Sequence, residues 1–297
     1  MAYSSAALTA QEIADFALDY PILGGKTAGD SLSDARWNTS GSLANADVSA
    51  TGFAASKAFD RRGNEITKPN TTGTVWYLML DAGAAPADVD FAVIIGHNFS
   101  SVGVTEVLLQ VADDNAFTSN LVTVATWVAG FTARLASFSL FHTGAAALRY
   151  TLGRYWRLKI TMASGTPQVG ELWLGRRRQM STRALMGFDS SEEEARVADF
   201  TADDGSTIRY KLSAGQRVVD ASFIIATAGE VTTLDSWYTE CDRLTEPTIY
   251  CEAPSSAPTY SHLMLGEARW KRSTFSGAKR RWSPTFREAD SFRSADA

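Results

Sequence analysis

Apolar positions along this chain recur mostly with a period of two, the spacing that gives a strand one buried face. The cleanest case is Tyr155 to Met162. Trp156, Leu158, Ile160 and Met162 fall on one side and Arg157, Lys159 and Thr161 on the other, which predicts one buried and one wet face. Val104 to Val111 alternates more weakly, with Thr105, Val107, Leu109 and Val111 on one face, and Leu121–Val128 and Ser137–Phe141 are further short runs. Two stretches are instead continuously apolar and end at glycine: Val75-Trp76-Tyr77-Leu78-Met79-Leu80-Asp81-Ala82-Gly83 and Phe91-Ala92-Val93-Ile94-Ile95-Gly96. Rich in aromatic and β-branched residues, they read as core strands on either side of a loop punctuated by Pro86. Gly165-Thr166-Pro167 turns the chain, and Val169 to Gly175 makes a further strand.

Helical spacing is rarer. Ile13, Phe16 and Ala17 predict a short helix within residues 1–19, with Thr9 as N-cap three residues before Glu12. Leu234, Trp237, Tyr238, Cys241 and Leu244 form one apolar stripe. That stripe predicts a helix over 232–245, opened by Thr232 with Asp235 three residues on and closed by Pro247. Around it, Ile208, Tyr210 and Leu212 alternate, as do Val219, Ala221, Phe223 and Ile225. Thr248–Cys251, Leu263–Trp270 and Trp282–Glu288 read as strands after the helix. The expected fold class is all-β, with two β-sandwich domains. Residues 1–19 form an arm, 20–175 the first domain, 176–204 a linker and lead-in, and 205–297 a second domain with a flanking helix.

Three segments carry a resemblance to the galactose-binding-like jelly roll of discoidin and related carbohydrate-binding modules. They are Ala55-Ser56-Lys57-Ala58-Phe59-Asp60 with the strand after it, Gly153-Arg154-Tyr155-Trp156-Arg157-Leu158, and Gly170-Glu171-Leu172-Trp173-Leu174-Gly175. Residues 205–292 resemble a domain of tailed-phage proteins at the end of the tail tube. The strand pair around Tyr210 and Phe223, the helix with Trp237-Tyr238, Ile249-Tyr250-Cys251 and Arg281-Trp282-Ser283-Pro284-Thr285-Phe286-Arg287-Glu288 carry this second likeness. It implies a tail-tube-like β-sandwich that assembles into a ring through sheet edges.

Composition adds limits rather than a site. The chain has 297 residues, 45% of them hydrophobic and 21% charged, which is ordinary for a globular protein. No apolar run approaches the roughly 18 residues that cross a membrane as a helix. Met1 to Leu18 carries Glu12 and Asp15 but no basic residue, so a secretory leader is not expected. Residues 1–150 hold 8 basic against 14 acidic side chains, while the stretch from Gly266 holds 8 basic against 4 acidic. That basic stretch is either a solvated strand face or a contact for an acidic protein partner. Arg176-Arg177-Arg178-Gln179 reads as a solvated linker or as an interface with an acidic neighbour. Nucleic-acid recognition is not expected. Cys241 and Cys251 suit neither a disulfide framework nor a zinc pattern, and buried thiols are expected.

His97, His142 and His262 lack nearby ligand-type residues at helical spacing. Asp113-Asp114 and Asp203-Asp204 sit in turn-like contexts. An enzyme is not expected, and neither is a cofactor. The jelly-roll resemblance implies one structural calcium site, with Asp60 and Glu171 as ligands, although Arg61-Arg62 departs from the family pattern beside it. It also implies sugar contact by loops at one end of the sandwich, with Trp37, Asn38, His97 and Asn98 as candidates. Trp37 also reads as a core anchor. The tail resemblance implies a virion structural protein made in the host cytoplasm: a homo-oligomeric ring, or part of a tail tip or baseplate, joining tail tube and tail-hub proteins to host recognition. The alternative is a carbohydrate-binding or adhesion module that contacts host surface glycans.

Overall fold

The computed structural model describes residues 5–18, 20–27, 37–38, 49–59, 65–70, 73–83, 87–128, 139–143, 148–182, 189–192, 197–201, 207–211, 217–225, 227–241, 247–255, 261–266, 272–276 and 279–288. In chain order the first half contains β1 (Ser5–Ala7), α1 (Ala10–Ala17), β2 (Ile22–Thr27), β3 (Trp37–Asn38), a 3-10 turn (Ala55–Phe59), β4 (Val75–Asp81), β5 (Ala87–Val89) and β6 (Phe91–Ile95). Then come β7 (Val104–Ala112), β8 (Val122–Val128), β9 (Ser139–Thr143), β10 (Leu148–Gly153), β11 (Tyr155–Met162) and β12 (Glu171–Gln179). The second half adds β13 (Asp189–Glu192), β14 (Val197–Thr201), β15 (Thr207–Lys211), β16 (Arg217–Asp220), β17 (Phe223–Ile225) and α2 (Ala228–Glu240). It ends with β18 (Thr248–Cys251), β19 (Ser261–Gly266), β20 (Arg272–Ser276), β21 (Lys279–Trp282) and β22 (Thr285–Glu288). The described chain is all-β apart from α1, α2 and the short 3-10 turn.

One antiparallel sheet, ordered β3-β4-β11-β7-β8, forms a layer of the first sandwich. Its inward residues come from the alternating positions: Trp76, Leu78 and Leu80, then Val107, Leu109 and Val111, then Trp156, Leu158, Ile160 and Met162. Thr105 is exposed, and Val104 takes the buried place instead, because the β7–β11 register shifts at Thr161/Met162. Opposite lie Ala92, Ile94, Leu172 and Leu174, from a second and much wider sheet.

That wide sheet has the order β13-β16-β22-β19-β18-β2-β12-β6-β9 and draws on both halves of the chain. Its β9 end comes back toward β19, so the strands between them curl. Inside the curl Phe91, Val93, Ile95 and Trp173 meet Ile22, Ile249 and Cys251. Hence β6 and the first half of β12 are covered on both faces, which is why Phe91–Ile95 is a continuous apolar run. A third core lies beside the sandwich, where Leu234, Trp237 and Cys241 of α2 pack on Leu23, Tyr250, Trp282 and Phe286.

The two halves are locked at β2. It pairs with β12 on one side (Leu23 opposite Arg178) and with β18 on the other (Leu23 opposite Tyr250). The Gly24 carbonyl accepts hydrogen bonds from the Trp237 indole N–H at 2.7 Å and the Thr248 hydroxyl at 2.6 Å, so helix, β18 and β2 converge on one atom. A Cβ at Gly24 would stand 2.8 Å from Ile249 Cβ and 3.0 Å from Phe91 Cζ. Only glycine allows the strands and side chains to close this tightly.

Four sequence expectations change here. Arg176-Arg177-Arg178 is neither linker nor surface loop: it is the second half of β12, inside the shared sheet. Arg177 is buried, its backbone N–H donates to Asp90 Oδ1 at 2.6 Å, and its guanidinium faces the same carboxylate at 4.0 Å. Burial lowers its pKa, while Asp90 and Glu12 oppose that shift. Arg178 pairs with Glu240 of α2. A charged triplet looks solvated in sequence, but carboxylates from distant segments receive Arg177 and Arg178.

Second, α2 starts at Ala228, not Thr232, because Thr227 and Glu230 make the reciprocal capping box. Leu234, Trp237 and Cys241 are buried as expected, and Leu244 lies outside the described residues. Third, α1 forms with its Thr9–Glu12 cap, yet Ile13 is 43% exposed and Ala17 is exposed, while Asp15 is buried. The Val219-to-Ile225 alternation holds its burial but spans two strands in different sheets, β16 and β17.

Candidate functional site

The motif Gly153-Arg154-Tyr155-Trp156-Arg157 can be read residue by residue. A Cβ on Gly153 would lie 2.5 Å from the Trp156 ring, so glycine leaves room for the indole, whose N–H donates to the Gly153 carbonyl at 2.8 Å. Trp156 points into the core. Arg154, Tyr155 and Arg157 are left to the outer side of the strand.

On that outer face Arg154 makes a two-pronged pair with Asp81 (Nε–Oδ1 2.7 Å, Nη2–Oδ2 3.0 Å) and lies over the Tyr155 ring. Arg157 sits between two aromatic rings, 5.2 Å from the Tyr77 centroid and 4.7 Å from that of Phe117. Its Nε–H donates to Gln110 Oε1 at 2.7 Å, and Gln110 in turn donates to the Thr123 hydroxyl at 3.0 Å. Desolvation by these neighbours lowers the Arg157 pKa, partly offset by Tyr77 and Asp114. Lys159 follows two residues on, directly opposite Tyr77 on β4 and Leu108 on β7.

Phe117 reaches this face from the turn after β7. It holds φ of 57°, a left-handed backbone that a bulky residue rarely adopts. The Asp114 carboxylate holds the turn by accepting from the Thr118 N–H (2.9 Å), the Ser119 N–H (2.8 Å) and the Thr118 hydroxyl (2.7 Å). These bonds keep the Asp114 carboxyl below its usual range. Asp113-Asp114 is thus a turn-building pair, as its sequence context suggested.

The sugar-contact candidates are differently placed. Asn98 has its amide committed: Nδ2–H donates to the Thr166 carbonyl at 3.1 Å and Oδ1 accepts from the Gln168 N–H at 2.8 Å. Its job is to tie the loop after β6 to the turn before β12. His97 stacks on Phe99, ring centroids 4.2 Å apart, and burial lowers its pKa to about 3, so it is neutral at ordinary pH. Trp37 and Asn38 lie on β3 at the sheet edge, opposite Leu80 and Met79.

Glu171 is fully buried at the start of β12, paired in register with Ile95, while Asp60 and Arg61-Arg62 lie outside the described residues. Calcium takes six to eight oxygens. Among the described residues no group of three or more His, Cys, Asp or Glu side chains comes together. What sequence reasoning missed is the Arg157 clamp. Alternation placed Arg157 and Lys159 on the wet face, but the Phe117 contact depends on how a distant turn folds back.

No protein-family model matches this chain, and no curated protein does. Solved structures do. A variant of chitosan-binding module 1 from a chitosanase/glucanase of Paenibacillus sp. IK-5 shares 16% identity, with 50% of this chain and 98% of that chain covered and a TM-score of 0.38. The lectin domain of lectinolysin, complexed with Lewis B antigen, shares 16% identity over 49% of this chain and 97% of its own, TM-score 0.35. The C-terminal domain of a chitobiase from Bacteroides fragilis shares 12% over 50% and 98%, TM-score 0.35. At these scores they carry no argument about what this chain does.

Proposed function

We propose that this chain is a non-catalytic attachment and assembly protein, a rigid two-lobed body that meets a surface glycan with its jelly-roll half and joins a larger assembly through its C-terminal half. The observation that supports this reading best is the placement of β2 between β12 and β18, which makes the two lobes one sheet. A binding module hung from an enzyme needs only a tether. A module whose sheet continues into its neighbour transmits force and orientation, which is what a structural mount requires. In its finer form the reading is a tailed-phage tail-tip or baseplate component, a ring-forming homo-oligomer that contacts tail-tube and tail-hub proteins. That form rests on the C-terminal motifs.

Two measurements test it. Light scattering and negative-stain imaging, alone and with tail-tube and hub proteins, should show rings. A strict monomer under both conditions removes the ring while leaving attachment. A glycan array should then show binding by the whole chain, and its absence removes the attachment half.

A further inference from the structure

The outer face of the β3-β4-β11-β7-β8 sheet contains a preset cation with no assigned task. Arg157 is held on three sides, by Tyr77, by Phe117 and by the Gln110–Thr123 relay. Its Nε is used, but among the described residues its guanidinium makes no ion pair. Arg154, three residues earlier, is satisfied by Asp81, and Asp114 spends its oxygens on Thr118 and Ser119. Lys159 stands on the same face about 7 Å further along the strand, and it too makes no ion pair among the described residues. The turn that brings Phe117 onto Arg157 accepts an unfavourable backbone to do so, and such strain collects where function needs a fixed group.

We propose that this face is a binding site for the carboxylate of an acidic glycan, a uronic- or sialic-acid-type chain. The Arg157 fork receives one carboxylate and Lys159 a second along the chain, with Tyr77, opposite Lys159 on β4 and against the Arg157 guanidinium, beside the sugar. A guanidinium already fixed and partly desolvated loses little freedom on binding, and its fork matches a carboxylate in two parallel hydrogen bonds. An anion also restores the solvation that the two rings remove. This inference rests on the attachment reading and names the ligand class for it.

The test is titration of the full chain with fluorescent oligogalacturonate, its methyl ester, polyglycerol phosphate and polyglutamate. The acid form should bind, the ester at least ~10-fold more weakly, and binding should weaken with salt. Arg157→Gln should cost ~10-fold or more, Arg157→Lys an intermediate loss, and Lys159→Gln a few-fold loss, all with an unchanged melting temperature. If Arg157→Gln lowers the melting temperature, Lys159→Gln and the ester decide. Equal binding of acid and ester, or acid binding untouched by both substitutions, overturns the site but leaves attachment standing. Preference for polyglutamate or polyglycerol phosphate overturns the acidic-glycan assignment. Absence of binding to any glycan, here and on the array, overturns both.

Discussion

The outer jelly-roll sheet and the shared sheet are built from similar residues and used in opposite ways. β11 alternates buried and half-exposed positions along its whole length, whereas β6 and the start of β12 are buried at every position. The first pattern leaves a wet face, where a ligand or a partner can be met. The second leaves none, because a curled continuation of the same sheet covers the far side. An edge strand or a face is therefore a surface only until another lobe claims it. In this chain β2 is the strand that makes the claim.

The comparison breaks most visibly at the seam. Trp237→Asp places a charge in the α2 core and removes the bond to Gly24. The expected cost is about 4 kcal/mol or more. Because Gly24 lies in the common sheet, both lobes should unfold in one calorimetric transition. Two separated transitions, with the jelly roll unmoved, would show that the lobes are energetically independent.

Next comes Gly24→Ala, which brings a methyl group within 2.8 Å of Ile249. Overpacking of this kind costs about 1–3 kcal/mol, read as a lower denaturant midpoint. The matching change on the wet face, Lys159→Ala, should leave that midpoint within about 0.5 kcal/mol. Similar losses from both would erase the distinction between seam and surface.

A smaller effect is a pH dependence. Burial holds the His97 pKa near 3 against an ordinary 6.5, so the folded state binds fewer protons than the unfolded one. This contribution is present above pH 6.5 and is lost as pH falls toward 3. Between pH 6.5 and 5 it removes about 2 kcal/mol. His97→Gln should flatten that part of the stability curve, and an unchanged slope would contradict the assignment. The smallest effect is a gain. The Tyr250 hydroxyl is buried with no hydrogen-bond partner among the described residues, and burial raises its pKa strongly. Tyr250→Phe should stabilise by about 1 kcal/mol in equilibrium unfolding.

Much of the fold was legible in local pattern. Period-two burial in Trp156–Met162, the continuous run Phe91–Ile95, the Thr9–Glu12 cap and the stripe of Leu234, Trp237 and Cys241 each follow from contacts within a few residues. The misreadings share one cause. Arg177 looked solvated because Asp90 lies 87 positions away in sequence, and Thr232 displaced Thr227 as the cap because both threonines have an acid three residues on. Ile13 looked like core because helical spacing gives a stripe but not the side on which the partner lies.

The candidate site divides the same way. Alternation alone placed Arg157 and Lys159 on the outer side of their strand, since successive side chains must point to opposite faces. The rest was decided by tertiary structure: that Phe117 folds onto Arg157, that Asn98 is consumed in tying loops, and that Ile22-Leu23-Gly24 joins two halves into one sheet. Those outcomes depend on which distant segments pair, and pairing is fixed by fit across the whole assembly of strands rather than by any residue's own propensity.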